Sequence, residues 1–191
     1  MALSKPIYNL LGIYFEKLYT NPVLTKSLTA ATLSLGANYI AQRISGDDLD
    51  YNSLVAYGAF GLVFGGTCPH YFYSFIEKVT KNMKNRKMMQ FLMQRFMYTP
   101  IFTVISLYFL SLFEGATPDQ AQRKMLALYK KVLTANWTYL TIPVYVNFKY
   151  VHPMMRVLVT NLIGVFWTIY LAQKRKAAAK KRSSSSEKNE F

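Results

Sequence analysis

The sequence has few charged residues, and acidic residues are especially scarce. Asp and Glu together number nine, against 23 Lys and Arg, and all charged residues make up 17% of the 191 residues. Soluble domains carry roughly 25%. A nucleic-acid-binding protein with this excess of basic residues normally spreads them over a polar face. Here they stand at the ends of long apolar runs, which is typical of membrane proteins and argues against nucleic acid as a partner.

Cysteine and histidine are also rare. Cys68 is the single cysteine, which excludes an internal disulfide framework, and within an apolar run it is most simply a packing residue. His70 and His152 are the only histidines and lie in different segments, so they do not form a recognisable set of metal ligands. The sequence has neither a Gly-rich phosphate loop nor a nucleophile motif. We therefore expect no enzyme activity, no metal and no cofactor.

Long windows without a charged residue make up about half of the chain. The five windows are 27–42, 51–76, 96–113, 132–148 and 157–173. A transmembrane helix needs about 20 mostly apolar residues, and only helices or closed barrels satisfy the backbone in lipid. No window alternates with the period of two that a barrel strand requires. The sequence therefore predicts an all-α, polytopic membrane protein built as a helical bundle.

The placement of charge favours four spans over five. Segment 77–95 has six basic side chains against Glu77, a net charge of +5, and segment 174–191 also has a net charge of +5. The connection 43–50 is net −2. Four spans place both basic segments on one side of the membrane, as the positive-inside tendency favours. Five spans would separate them.

The predicted organisation has three parts. An amphipathic N-terminal segment, 1–26, precedes a membrane domain, 27–176, and a basic, low-complexity tail, 177–191, is expected to be disordered. The predicted spans of the membrane domain are about 27–44, 54–76, 91–113 and 154–173.

The window 132–148 contains the stretch NWTYLTIPVYVNF, in which apolar and aromatic residues surround two amides and a proline. Pro143 has no amide donor and disfavours a straight helix, so we predict that it is the hinge of a Pro-broken amphipathic segment. Such a segment is tolerated at membrane depth only where protein covers it or where it lines a wet cavity. The alternative is an ordinary kinked helix in the membrane interface.

Amide side chains recur in the apolar windows, where they usually face the protein interior. Two interpretations are open: hydrogen bonds that hold helices together, or the wall of a solute pathway. In the second, no fixed charge lies among the amides, so small solutes should pass with little charge preference. Basic mouths, notably Lys149, Arg156 and segment 77–95, should add a weak preference for anions. The candidate pore-lining residues are Asn38, Gln42, Asn136, Asn147 and Asn161.

Small side chains form a stripe on each of the first two predicted spans. Such stripes let helices approach closely in lipid, so we expect these two spans to pack together. Contact with a second copy of the chain, in a homo-oligomer, is the alternative. The residues are Ala30, Ser34, Ala37 and Ala41 in the first span, and Gly58, Gly61 and Gly65 in the second.

Six stretches, taken in order and spacing, carry a resemblance to a known family. They are NPVLTKSLTAATLSLGANYIAQ, YGAFGLVFGGTCPHYFYSFIEK, QRFMYTP, FEG, NWTYLTIPVYVNF and RVLVTNLIGVFWTIYLA. The chain resembles the family of small four-span peroxisomal membrane proteins, which also has mitochondrial inner-membrane members, and it is most similar to the peroxisomal branch. The resemblance implies a multi-pass protein of the peroxisomal membrane, with the mitochondrial inner membrane as the alternative. Members of the peroxisomal branch resemble channels for small water-soluble metabolites.

The chain departs from the family pattern at positions that bear on function. Asn38 stands where the family often has Asp, and Gln94 stands where it often has an acid. If those acids set cation selectivity in the family, this chain should be less selective. Two functions are expected alternatives: a pore-forming channel for small water-soluble metabolites, or a non-conducting structural protein that serves as a scaffold. The expected partners are the lipid bilayer and, for a pore, small solutes.

We predict that both termini and segment 77–95 lie on one side of the membrane, because the loop and the tail each carry a charge of +5. Protease protection of tags at residues 1, 85 and 191 measures this, and all three should be cleaved together. A protected tail beside a cleaved loop would contradict the four-span topology.

Overall fold

The computed structural model describes residues 4–46 and 48–169, so the predicted tail and the end of the last predicted span lie outside the described residues. The described part is helical, without strands. Its helices are α1 (Ser4–Thr20), α2 (Pro22–Ser45), α3 (Tyr51–Phe60), α4 (Thr67–Val79), α5 (Arg86–Met93), α6 (Thr99–Phe113), α7 (Pro118–Tyr150) and α8 (Pro153–Ile169). The prediction of an all-α protein is confirmed.

Two π-helical turns join consecutive helices. The turn Gly61–Gly65 leads from α3 towards α4, and the turn Gln94–Tyr98 joins α5 to α6. The second connection produces one continuous helix, Arg86–Phe113, of 28 residues. Its length is roughly 42 Å at the usual rise per residue. Within the described residues it is the one helix whose length and apolar composition are sufficient for a membrane crossing. The number of spans stays a prediction.

The described surface is apolar and the interior is rich in polar groups. Ile142 and Phe166 are 73% and 72% exposed, whereas the buried side chains include twelve polar or charged residues and ten hydrophobic ones. Water-soluble proteins instead bury mainly hydrophobic side chains and rarely bury charged ones. This inverted distribution is the one expected of a helical bundle surrounded by lipid.

α2 packs against α3 and the π turn that follows it, with the two backbones nearly in contact. A Cβ atom added to Gly61 would lie 2.6 Å from the Ala30 carbonyl oxygen, and one added to Gly65 would lie 3.0 Å from Ala30 Cβ. Gly66, which was not part of the predicted stripe, is closer still, because its Cβ would lie 2.3 Å from the Ser27 nitrogen. Only glycine permits this approach.

The other residues of the two stripes lie at looser parts of the same contact. Ala37 is buried, and Ser34 and Ala41 are half-buried. A Cβ atom at Gly58 would lie at an ordinary van der Waals distance, 3.5 Å, from Leu35 Cδ1. The tightest part of the α2–α3 interface is therefore the end that lies near Ala30 and Ser27.

The predicted break at Pro143 is wrong. α7 runs through Pro143 as one helix of 33 residues. A proline removes its own backbone donor and crowds the carbonyl four residues earlier. Packing nevertheless continues on both sides of Pro143, with Val144 in the hydrophobic core and Leu140 against that core. A capping box between Thr117 and Gln120 fixes the start of the helix, and it satisfies two backbone donors there.

The main hydrophobic cluster joins three helices at one end of the bundle. Tyr73 and Ile76 come from α4, Val144 and Phe148 from α7, and Val157 from α8. The rings of Tyr73 and Phe148 meet edge to face, with centroids 5.6 Å apart. This cluster holds α7 and α8 against α4 and so positions the polar side chains that lie beside it.

We predict that Gly61→Ala destabilises the protein by about 1–3 kcal/mol, because the added methyl group overpacks against the α2 backbone. Thermal unfolding in detergent, followed by far-ultraviolet circular dichroism, measures the change. The control is Gly36→Ala in α2, where an added Cβ meets nothing within 4 Å. That variant should be neutral or more stable by about 0.5–1 kcal/mol. Equal effects of the two substitutions would contradict the close α2–α3 packing.

Candidate functional site

The Asn38 group joins the end of α2 to the start of α3. Asn38 Nδ2 donates to Ser53 Oγ at 3.2 Å, and Gln42 Nε2 donates to Asn38 Oδ1 at 2.6 Å. The Gln42 amide also pairs with the Asp50 backbone in both directions, at 2.8 and 3.2 Å. Ser53 Oγ donates to Glu114 Oε1 at 3.5 Å. The two predicted amides of α2 therefore act on each other and on the α2–α3 connection.

The Arg95 group joins the π turn Gln94–Tyr98 to the middle of α7. Arg95 is buried, with 4% of its surface exposed. Its guanidinium donates to Asn136 Oδ1 at 2.9 Å, to the Asn136 carbonyl at 3.0 Å and to Thr141 Oγ1 at 3.0 Å. In return, Trp137 Nε1 donates to the Arg95 carbonyl at 3.2 Å. All four bonds connect the same two helices, and every acceptor is electrically neutral.

The Arg156 group joins α8 to α4 and α5. Arg156 is 3% exposed. Its NH1 lies 3.3 Å from Glu77 Oε1 and donates to Gln90 Oε1 at 3.0 Å. Gln90 Nε2 donates to Thr80 Oγ1 at 2.9 Å, and Thr80 Oγ1 donates to the Ile76 carbonyl at 2.6 Å. One guanidinium therefore connects three helices and the turn after α4.

α7 contributes Asn147 and Phe148 to the Arg156 group. Asn147 Nδ2 donates to the Arg156 carbonyl at 3.2 Å and to Thr160 Oγ1 at 3.0 Å. Tyr73 and Thr160 share a hydrogen bond of 3.1 Å. The Arg156 guanidinium carbon lies 5.0 Å from the Phe148 ring centroid, within the range of a cation–π contact. The group thus combines one charge pair, two amides and three hydroxyls.

Several buried polar atoms have no hydrogen-bond partner among the described residues. They include Gln94 Oε1, Asn147 Oδ1, Arg156 Nε and Asn161 Nδ2. A buried polar atom left without a partner destabilises a protein by about 1–3 kcal/mol. Such atoms usually bind ordered water when the site is polar and large enough. Water is one partner that would satisfy these atoms, and it is the partner that the proposed function below uses.

The described interior carries an excess of positive charge. Lys26, Arg95 and Arg156 are buried, whereas no Asp or Glu in the described ranges is buried. Lys26 Nζ lies 3.1 Å from His70 Nδ1, which is a neutral acceptor when that nitrogen is unprotonated. Glu77, half-buried, pairs with Arg156. The buried cations thus outnumber the carboxylates that face them.

The expectation that no fixed charge lies among the candidate amides is therefore wrong. Asn136 binds the Arg95 guanidinium directly, and Asn147 binds the backbone of Arg156. Each arginine stands directly before a charge-free window of the sequence. A charged residue at such a boundary is expected to reach water. Hydrogen bonds to amides and hydroxyls instead hold each guanidinium inside the bundle.

The five candidate pore-lining amides do not form one hydrogen-bonded group. Asn38 and Gln42 lie in the first group, Asn136 in the second and Asn147 in the third. Asn161, half-buried, has an amide nitrogen without a partner among the described residues. That these residues line one pathway stays a prediction.

The candidate residues that sequence reasoning missed are Arg95, Glu77, Gln90 and Lys26. Three of them are charged and adjoin apolar windows, a position that by itself predicts a residue at the membrane boundary. One feature of the sequence could have indicated that Arg95 is buried. Gln90 and Gln94 are four residues apart, on one face of a helix, just before the third window.

An apolar groove of about 310 Å³ lies between α7 and α8, lined by residues that include Pro143, Phe166 and Trp167. None of the candidate amides lines it. The residues that line this groove, Pro143 among them, therefore belong to none of the three polar groups. Within the described ranges, no group of three or more His, Cys, Asp or Glu side chains could hold a metal ion.

Comparison with known proteins gives consistent matches over most of the chain. A model of the Mpv17/PMP22 family matches residues 111–172. Peroxisomal membrane protein 2 of Bos taurus is 31% identical over 173 residues, which cover 85% of this chain and 87% of that protein. Peroxisomal membrane protein PMP22 of Arabidopsis thaliana is 25% identical, covering 90% and 92%. Mitochondrial inner membrane protein Mpv17 of Drosophila melanogaster is 26% identical, covering 75% and 89%. No solved structure matches the chain.

We predict that Glu77→Gln destabilises the protein more than Glu114→Gln, although the two carboxylates have similar ion-pair distances of 3.3 and 3.1 Å. Loss of Glu77 leaves the buried Arg156 charge unpaired, which should lower stability by about 3 kcal/mol. Loss of the Glu114 charge frees the exposed Lys124, at under about 1 kcal/mol, and the amide oxygen of the new Gln can still accept from Ser53 Oγ. Thermal unfolding in detergent compares the two variants. Equal shifts would show that the Arg156 pair behaves as a surface pair.

Proposed function

Because the chain belongs to the Mpv17/PMP22 family of membrane proteins, we propose that it forms a pore for small water-soluble metabolites in an organelle membrane. The observation that carries this proposal is the polar interior of a bundle whose surface is apolar. A protein that only packs helices in lipid has no physical need for three buried cations and for buried polar atoms without partners. A water-containing interior stabilises both.

The proposed membrane domain includes the four predicted spans. α2, the α3–α4 pair, the continuous helix Arg86–Phe113 and α8 correspond to them. However, α7 runs antiparallel to the continuous helix, since Lys87 binds the Lys149 carbonyl and Arg95 binds Asn136. α8 therefore begins beside segment 77–95, and the arrangement fits a fifth crossing by α7 better than it fits four spans. α7 packs along α6 and contributes Asn136 and Asn147 to two of the polar groups. In this arrangement α7 supplies much of the polar surface of the pathway, which is the role proposed from the sequence for the segment 132–148.

The proposed location is the peroxisomal membrane. Two of the relatives compared above are named as peroxisomal membrane proteins, and the bovine protein shares the higher identity. The mitochondrial inner membrane is the alternative, because the Drosophila relative is named for it. The membrane itself is the partner that this proposal requires.

A basic rim supports a weak attraction of anions to the mouth of the pore. Lys149 is exposed at the end of α7, and Lys87 Nζ donates to its carbonyl oxygen at 2.7 Å. A hydrogen bond with Tyr150, together with the nearby Tyr145 hydroxyl, raises the pKa of Lys149. The ammonium therefore stays charged at neutral pH. Such exposed charges raise the local concentration of anions, and salt screens the effect.

The second candidate function is a non-conducting scaffold. The close packing of Ala30 against Gly61 and Gly65 favours it, because small-residue contacts serve to hold helices together whether or not a pathway exists. In a scaffold, the amides would only join helices. The two functions differ in whether water reaches the polar groups.

We predict that the purified protein conducts in planar bilayers and that cysteines at positions 38, 136, 147 and 161 react with a membrane-impermeant thiol reagent in a Cys68→Ala background. The physical reason is that water must reach these side chains if they line a pathway. Cysteines at Ile142 and Phe166 are the control, because both side chains face outward from the bundle and should be shielded by lipid.

Conductance should fall in Asn147→Leu, with folding checked by circular dichroism in the same detergent. Asn38→Leu should behave in the same way and tests a second polar group separately. Inert cysteines at all four positions, together with a silent wild-type protein in bilayers, would favour the scaffold.

A further inference from the structure

Arg95 and Arg156 are buried to the same degree but have different partners. Within the described ranges the structure has two ion pairs, Lys124 with Glu114 and Arg156 with Glu77. Arg95 takes part in neither. Its guanidinium contacts an amide oxygen, a backbone carbonyl and a hydroxyl, so its full positive charge stays without a described counter-charge.

A buried charge with neutral partners is energetically unfavourable, because the low dielectric of the interior strengthens its field and raises its desolvation penalty. An arginine does not lose its proton in response. The remaining way to compensate the charge is an anion that comes close to it. Gln94 Oε1, on the residue next to Arg95, is buried without a hydrogen-bond partner among the described residues, and such an atom usually binds water where space allows.

We propose that Arg95 is the anion-binding, selectivity-determining residue of the pore. This inference rests on the proposed function, and it names the substrate class as small anions, among metabolites the carboxylates and phosphates. The neutral acceptors Asn136 and Thr141 orient the guanidinium without neutralising it. Arg156 cannot play the same part, because Glu77 already faces its NH1 at 3.3 Å.

The local backbone supports a fixed position for this charge. Arg95 lies in the π turn Gln94–Tyr98, and π-helical insertions frequently occur at functional sites. Trp137 Nε1 donates to the carbonyl of Arg95 itself, so the backbone and the side chain are held by α7 together. A charge held in this way acts at one depth in the membrane, inside the bundle, whereas the lysines of the rim are exposed at its surface.

The test is the reversal potential in planar bilayers under a potassium chloride gradient, which gives the ratio of chloride to potassium permeability. The wild type should prefer chloride. Arg95→Gln should lower the ratio by about tenfold or more, since a unit charge roughly 12 Å from the path of the ion, at an effective dielectric constant of about 20, already has a tenfold effect. Arg95→Lys should retain most of the preference.

Asn136→Asp is the second variant and keeps the proposal testable if Arg95→Gln does not fold. It has the same shape as the wild-type residue and keeps an acceptor for Arg95 NH1, but it adds a carboxylate that neutralises the guanidinium. The chloride preference should disappear in this variant while conductance persists. An unchanged ratio in a conducting Asn136→Asp protein would overturn the proposal.

Lys149→Gln is the matched control, because it removes one positive charge from the exposed rim. Its effect should be present at about 0.1 M salt and absent at about 1 M, where the Debye length falls from about 10 to about 3 Å. The effect of Asn136→Asp should persist at both concentrations, since the guanidinium is buried. Loss of both effects at high salt would overturn the assignment to Arg95.

Failure of this inference and failure of the proposed function give different results. A wild-type protein that conducts with equal permeability for both ions contradicts the role of Arg95 and leaves the pore in place. A wild-type protein that does not conduct contradicts the pore itself. Chloride preference that survives in Arg95→Gln would assign selectivity to the rim charges.

Discussion

The Arg156 guanidinium joins more of the bundle than any other described side chain. Its charge pairs with Glu77 of α4, its NH1 binds Gln90 of α5, its guanidinium contacts the Phe148 ring of α7, and its own backbone lies near the start of α8. The backbone carbonyl of Arg156 accepts a hydrogen bond from Asn147 Nδ2. Because the surrounding surface is apolar, these polar groups have only one another and water as partners. A single residue inside the bundle therefore contacts four helices, and it does so beside the hydrophobic cluster that joins three of them.

The two buried arginines illustrate how the same side chain can serve structure or function. Arg156 has a carboxylate and a ring beside it, so its charge is balanced locally and its main effect is to fix helices. Arg95 is held as firmly, but by neutral oxygen atoms only. Buried charge that is positioned without being balanced is energetically unfavourable for a fold alone. Under the proposed pore function, an anion that passes through the bundle would supply the balance.

The helical class and the close contact between the first two predicted spans follow from the sequence, because apolar windows and small-residue spacing are local patterns. Gly61 and Gly65 lie against Ala30, as their spacing predicts. The polar interior could not be predicted in the same way. Arg95 and Arg156 border apolar windows, and sequence alone assigns such residues to the water boundary; only the long-range pairing with Asn136, Gln90 and Glu77 places them inside. The continuity of α7 through Pro143 could not be predicted either, because the packing of its neighbours decides whether a proline ends a helix.

The π turn at Gln94–Tyr98 sets the rotational phase of everything that follows it in the helix. Thr99 Oγ1 donates to the Gln94 carbonyl, five residues earlier, at 3.0 Å, and Thr103 repeats the buried position one turn later. Removal of one residue here would restore an ordinary helix and rotate α6 by about 100°. The buried threonines would then face lipid, and apolar side chains would enter the polar interior. The length of this segment is thus as constrained as its composition, and natural variants of the protein should carry substitutions there but neither insertions nor deletions.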